Sequence, residues 1–503
     1  MATATYYDLL PEDLAKHQRQ IEKWARDHGL DFFPTIFEVV ECDELNEVAA
    51  YGGFPTRYPH WRFGMEFEQL AKGYHYGLSK IYELVINNNP VYAYLMKSNS
   101  PVEQKLVMAH VFGHADFFKN NLWFSKTNRR MIDAMANHAT RVRSDIDRFG
   151  VEKVEDFIDA CLSLENLIDP HAAFIERHER KGAPAAARDD DEERPAAVPR
   201  LKSKAYMESY INPPAFLEEQ RALLEERARR KRRVPEEPRR DVLQFLLEQA
   251  PLENWERDIL SLVREEAYYF APQGMTKVMN EGWAAYWHST IMTQRALTDS
   301  EVVDFADQHS GTLAMAPGRI NPYKIGIELF REIEDRWNKG KFGRDYDDCD
   351  DIEARRKWDK KLGLGRQKIF EVRRIYNDVT FVDAFLSQEF CERLKLYVYG
   401  YDSRSGRHVV LDRDWHRVKE RLLFSLTNLG QPIVHAVDAN HANRGELYLK
   451  HQHEGVPLDE EKARDTLRNL HRLWRRPVHI ETSEDDRGRL LSYDGTEHKA
   501  TRI

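Results

Sequence analysis

Cysteine is scarce in this chain. Four occur in 503 residues (Cys42, Cys161, Cys349, Cys391), widely spaced and with no Cys-x-x-Cys pair. They read as reduced, mostly structural thiols and exclude a disulfide framework. Long apolar runs are also missing. No stretch approaches the roughly 18 apolar residues that cross a bilayer, and Met1–Pro11 lacks a basic segment followed by an apolar one. Basic charge is not in excess. The 75 Lys and Arg stand against 84 Asp and Glu, a net charge of −9. That argues against a generic nucleic-acid binder. The expectation is a soluble, cytoplasmic protein with no membrane span and no nucleic-acid partner.

What is present is a well-packed globular composition, 42% hydrophobic, 32% charged and 11% aromatic with 10 Trp. The length predicts more than one domain. The fold expected is α+β: a mainly helical N-terminal and central region around a metallopeptidase-like helical core, followed by a small C-terminal α+β domain. Four regions are expected. Residues 1–180 are helical, 181–240 are a charged, partly disordered linker or insertion, 241–369 are helical again, and 370–503 form the α+β domain.

Local signals support this reading. Glu12–His28 carries apolar residues at helical spacing and ends at Gly29. Met65–Leu84 reads as helix, broken by Asn87-Asn88-Asn89-Pro90. Ser100-Pro101-Val102-Glu103 joins an N-cap, a first-position proline and a capping-box glutamate. The helix it opens runs to about Lys119. Trp255–Phe270 and Thr276–Thr293 read as helices separated by a turn at Pro272-Gln273-Gly274, and Asn321-Pro322-Tyr323 opens another. Leu394–Tyr401, Pro432–Ala439, Gly445–His451, Val478–Thr482 and Arg489–Tyr493 read as short strands. A helix is expected from Leu458 to Trp474. The basic run Arg227–Arg233 reads as a solvated helix face beside compensating acids.

Two segments about 170 residues apart carry chemistry. The first, His110-Val111-Phe112-Gly113-His114, places two imidazoles on one helix face. The second, Asn280-Glu281-Gly282-Trp283-Ala284-Ala285-Tyr286-Trp287-His288, supplies a carboxylate and a third imidazole. His110, His114 and Glu281 form a two-histidine, one-glutamate donor set for a divalent metal, zinc first, with iron or manganese as alternatives. The bland reading of the pair is hydrogen-bonded core histidines. Glu281 and His288 lie two turns apart, about 10 Å along a helix axis. One ion would strain to hold both, so His288 reads as an acid/base or supporting group. A zinc peptidase of the His-Glu-x-x-His type has its general base immediately after the first histidine; this chain has Val111. Glu266, Glu103 or His288 would have to replace it, so His288 and Glu266 are the catalytic candidates. Trp283, Tyr286 and Trp287 read as packing residues. Asp116, Asn120 and Asn121 read equally as metal-supporting or helix-end groups.

These segments resemble the stage V sporulation protein R (SpoVR) family. The resemblance rests on His110-Val-Phe-Gly-His-Ala-Asp-Phe-Phe-Lys-Asn-Asn121, on Tyr269-Phe-Ala-Pro-Gln with Thr276-Lys-Val-Met-Asn-Glu-Gly-Trp-Ala-Ala-Tyr-Trp-His288, on Gly318-Arg-Ile-Asn-Pro-Tyr323, and on Gly29-Leu-Asp-Phe-Phe33 with Glu38. It implies a link to spore cortex formation or to stress physiology. It also implies partnership with a PrkA-type serine protein kinase and a von Willebrand-like protein. It supplies no catalytic residues. Three functions stand as rivals: a metal-dependent hydrolase lacking the usual Glu base, a non-enzymatic regulator acting with the kinase, or an iron oxidase or oxygenase-like protein.

Overall fold

In the computed structural model of the chain, the described residues are 10–75, 83–175, 213, 215–222, 234–315, 320–404, 406–484 and 487–503. Most of the expected linker 181–240, including the basic run Arg227–Arg233, lies outside them, as do Gly318 and Arg319. Two compact units form, each from non-contiguous stretches: Met1–Glu155 with Tyr268–Gln431, and Asp156–Ala267 with Pro432–Ile503. Among the described residues no helix is long and apolar enough to cross a membrane.

The first unit is built around the helix Pro101–Asn120, which is buried on nearly every face. Its start follows the sequence signals. The Ser100 hydroxyl accepts from the Glu103 N–H at 3.3 Å, and the Ser100 N–H donates to the Glu103 carboxylate at 2.6 Å. The helix Lys277–Ile291 packs against it, and Pro322–Lys339 packs on that helix in turn. Small residues set the spacing. A Cβ on Gly113 would lie 2.7 Å from Ala284 Cα, and one on Gly282 would overlap the backbone of Gly326. The three helices therefore meet at backbone contact, which brings their polar side chains within reach of one another.

A three-stranded sheet covers this helix. Thr35–Val40 runs parallel to the central Val91–Met96, which pairs antiparallel with Glu83–Ile86. Phe37 meets Phe112 edge-on at 5.5 Å and Phe32 meets it at 4.8 Å, seating the sheet side on the helix. This sheet is an addition to the mainly helical region expected here. The helix read as Met65–Leu84 is instead Trp61–His75, and Glu83–Ile86 is a strand. Residues 76–82 lie outside the described residues.

The second unit carries a five-stranded sheet, ordered His498–Arg502, Arg487–Tyr493, Val478–Glu484, Glu446–His451, Val434–His441. The central pair, Glu446–His451 and Val478–Glu484, is parallel and is joined through the helix Glu460–Trp474. The α+β class holds, with the helical bulk and the C-terminal sheet where they were expected.

Two boundaries differ from expectation. Asn254–Met275 is one helix that runs through Pro272, where a turn was expected. The proline sits one turn from the helix end, and its carbonyl accepts from the Thr276 hydroxyl at 2.8 Å, so little of the ladder is lost. The strand read as Leu394–Tyr401 is Val398–Asp402, because Leu394 closes the helix Gln388–Leu394.

Candidate metal centre

The helix Pro101–Asn120 turns Val111 into the core, wholly buried, while His110 and His114 point toward the helix that carries Glu281. That second helix is fixed at its start by Asp378. The Asp378 carboxylate accepts from the N–H groups of Val278 at 2.8 Å and Met279 at 2.9 Å, meeting the exposed donors of the first turn. Asp116 ties the two helices together. One of its oxygens accepts from the Trp283 indole at 2.8 Å, the other from the Asp31 N–H at 2.8 Å. Asp116 is thus a brace between the helices, and Trp283 and Trp287 are fully buried packing residues. Asn121 holds the carbonyls of Arg373 and Tyr376.

The three expected donors converge. Glu281 Oε2 lies 3.6 Å from His110 Nε2 and 3.5 Å from His114 Nε2. These distances are too long for hydrogen bonds, and Oε2 is buried without a hydrogen-bond partner. A buried, unsatisfied carboxylate oxygen is costly unless something else meets it. A fourth donor joins from the sheet. Glu83 Oε1 lies 3.3 Å from His110 Nε2 and 3.9 Å from His114 Nε2. Donor atoms of Glu83, His110 and His114 all fall within 4.8 Å of one another. The sequence reading missed Glu83 by running a helix through it. The β-branched pair Val85-Ile86 followed by Asn-Asn-Asn-Pro was the signal for a strand and turn.

The far edges of both imidazoles are held. His114 Nδ1 lies 2.9 Å from Asn280 Oδ1, which can only accept, so Nδ1 carries a proton and Nε2 is the edge a metal would take once the ring is neutral. His110 Nδ1 lies 2.8 Å from His288 Nδ1, and His288 Nε2 lies 3.0 Å from His309 Nδ1. His288 therefore stands behind His110, with both ring nitrogens engaged. The two-turn separation of Glu281 and His288 puts them on opposite edges of one imidazole. Glu266 is buried on the helix Asn254–Met275 and does not line the cavity described below. Glu103 is spent on the helix cap.

Burial and mutual charge polarise the cluster. Burial alone would raise Glu281, but the adjoining His114 and His110 outweigh it and hold the carboxyl far below the usual range. Burial would lower His114, yet Glu281 and Glu83 lift it to about 9. Glu83 is raised, by burial first and then by the charge of Glu281, against the pull of the histidines. Burial and the neighbouring His110 and His309 press His288 well below an ordinary histidine. Burial, then Arg331 and Lys324, bring His309 down to about 4.

The cluster is not sealed. A cavity of about 240 Å³ reaches it, with Glu83, His114, Asn280, Glu281 and Tyr323 in its wall. Structural metal sites are closed by protein ligands, whereas catalytic ones keep an accessible face.

Comparison with known proteins agrees along almost the whole chain. The family model described as SpoVR like protein matches residues 8–431, and SpoVR-like C-terminal domain matches residues 432–485. A protein of Escherichia coli (strain K12), printed as "Uncharacterized protein YcgB", is 30% identical over 507 residues, covering 95% of this chain and 93% of its own length. No solved structure matches the chain.

Proposed function

Since the chain belongs to the SpoVR family, we propose that the family's shared core in this protein is a metal-dependent enzyme of the hydrolase type. His110, His114 and Glu281 hold one divalent ion, zinc in the first instance, and Glu83 is the second carboxylate beside it. The observation that carries this reading is the convergence of the buried Glu281 Oε2 on the Nε2 atoms of two imidazoles, at 3.5 and 3.6 Å, beside a cavity. An ion there supplies Lewis-acid chemistry. It would also replace the proton that lifts His114, since metal ligands bind deprotonated.

The remaining roles belong to the chain's own residues. Asn280 and His288 orient the two imidazoles from behind. Glu83 faces both the cluster and the cavity, so it supplies the proton-accepting carboxylate that Val111 cannot. His288 becomes an orienting group in this reading, and Glu266 falls outside the chemistry. The cavity favours an enzyme over the non-enzymatic regulator. The setting proposed is the one the resemblance implies: a cytoplasmic role in cortex formation or stress physiology, alongside a PrkA-type kinase and a von Willebrand-like protein.

The test is metal analysis of purified protein beside His114→Ala and Glu281→Gln. About one zinc per chain, lost in both variants, supports the reading. Iron or manganese in its place moves the chemistry to the two-histidine, one-carboxylate iron class. A wild-type protein that takes up no divalent metal would end the proposal.

A further inference from the structure

The cavity wall combines polar and aromatic side chains. Beside the cluster its wall is polar, with the two glutamates, His114, Asn280 and the Tyr323 hydroxyl. Five aromatic side chains also line it, Phe54, Phe118, Phe124, Tyr269 and Phe270, and Phe118 stacks on His114 at 6.0 Å. Phe54, Tyr269 and Phe270 pack on one another with ring centroids 5.5, 6.1 and 5.2 Å apart, and Phe118 meets Phe124 at 5.0 Å. The Tyr269 hydroxyl is spent on the Asn87 carbonyl at 3.1 Å, so these rings offer carbon rather than hydroxyl donors, while Asn87 and Gln273 add polar groups to the same wall. Among the described residues no Lys or Arg lines the cavity, and its only charged side chains besides His114 are the two carboxylates.

Charge and size narrow what fits. A phosphorylated or sulfated group entering this space would lose its water beside two carboxylates, and the wall offers no Lys or Arg to offset them beyond the ion itself. A divalent ion with two carboxylates is near neutral, so an uncharged ligand meets the least resistance. An apolar cavity of about 150 Å³ holds benzene. The 240 Å³ here therefore has room for one ring and a short polar head.

We propose that this cavity selects an uncharged substrate with an aromatic or similarly bulky apolar group next to an amide or ester carbonyl. The carbonyl faces the ion, and the ring lies among Phe54, Phe118 and Phe270. This rests on the metal-enzyme reading above and goes further by naming the substrate class.

The test uses the full chain loaded with Co²⁺, whose visible absorption reports on ligands reaching the ion. Benzohydroxamic acid, acetohydroxamic acid and phenylphosphonate are titrated in turn. Benzohydroxamic acid is expected to bind at least about tenfold more tightly than acetohydroxamic acid, the return on burying one ring. Phenylphosphonate is expected to bind more weakly than either. Phe270→Ala, with unchanged cobalt stoichiometry, is expected to erase the preference for the ring. The wild-type comparison stands alone should that variant fail to fold. Equal affinity for the two hydroxamic acids, or tighter phenylphosphonate binding, overturns the substrate class and leaves the metal site standing. A chain that binds no cobalt overturns both.

Discussion

His288 places its Nδ1 2.8 Å from the Nδ1 of His110, on the edge of that ring opposite the Nε2 that faces Glu83 and Glu281. For His110 to present a lone pair at Nε2, its proton must sit on Nδ1 and be donated to His288. His288 then passes its own Nε2 proton to His309. The contact fixes the tautomer as well as the ring angle. His288→Ala should therefore weaken metal binding by about 10- to 100-fold while leaving the ligands themselves in place. Competition against a chelator of known affinity measures it. His288→Gln, which can still accept from His110, should recover part of the loss. Unchanged affinity in both variants would show that His288 only fills space.

Glu83→Gln separates a functional carboxylate from a structural one. The ionised Glu83 is opposed by burial and by the charge of Glu281. Removing its charge should leave the metal-free protein as stable as before, or slightly more so. Metal affinity should fall by about tenfold, because the second carboxylate beside the ion has lost its charge. Thermal unfolding with chelator and with excess metal reads both quantities on one sample series. A variant that loses stability without metal and keeps its affinity would contradict this role.

The tight helix contact makes a packing prediction. Gly282→Ala puts a methyl group into the Gly326 backbone, which cannot move aside as a side chain can. Alanine's helix propensity favours the change by about 1 kcal/mol. Overpacking should outweigh it, for a net loss on the order of 1–3 kcal/mol. Gly311, in the helix Val302–Thr312, has open space at its Cβ position, so Gly311→Ala should stabilise by a few tenths to about 1 kcal/mol. Urea unfolding of the two variants side by side gives opposite signs if the contact is as tight as described.

Asp378 yields a pH dependence. Burial pushes its carboxyl up to about 7 from 3.8, against the pull of its two backbone donors. The folded state thus binds this proton more tightly than the unfolded chain. The stability it contributes is fully present below pH 3.8 and is lost as pH rises through 7. Asn cannot titrate. The stability of wild type relative to Asp378→Asn should fall steadily between about pH 4 and 7. A difference independent of pH, measured by urea melts across that window, would contradict the assignment.

How much of this could be read from the chain follows the range of each interaction. The Ser100–Glu103 cap is a four-residue signal, so the histidine helix and its shared face were legible. Glu281 was legible through its position in a long apolar helix with Asn280 beside it. Glu83 was not, because its strand exists only by pairing with Val91–Met96, and the alternation in so short a segment is easily absorbed into a preceding helix. The helix through Pro272 was hidden by a local breaker that the end of a long helix tolerates. His288 was placed near the site by spacing, but its contact with the back of His110 depends on how two helices cross. The non-contiguous units escaped a linear division because nothing local reports that residues 156–267 pack with the C-terminal stretch.

The cluster draws on a strand beginning at Glu83, on the helix Pro101–Asn120 and on the second turn of Lys277–Ile291. An ion bound as proposed would be a clasp across nearly two hundred residues of chain, and mass action would then make the durability of the fold a function of metal supply. At a free metal concentration about a hundred times Kd the clasp adds about 2.7 kcal/mol. Scarcity of the ion would release that stability and the chemistry together, so a cell short of metal would lose this protein to proteolysis instead of accumulating it in an idle form.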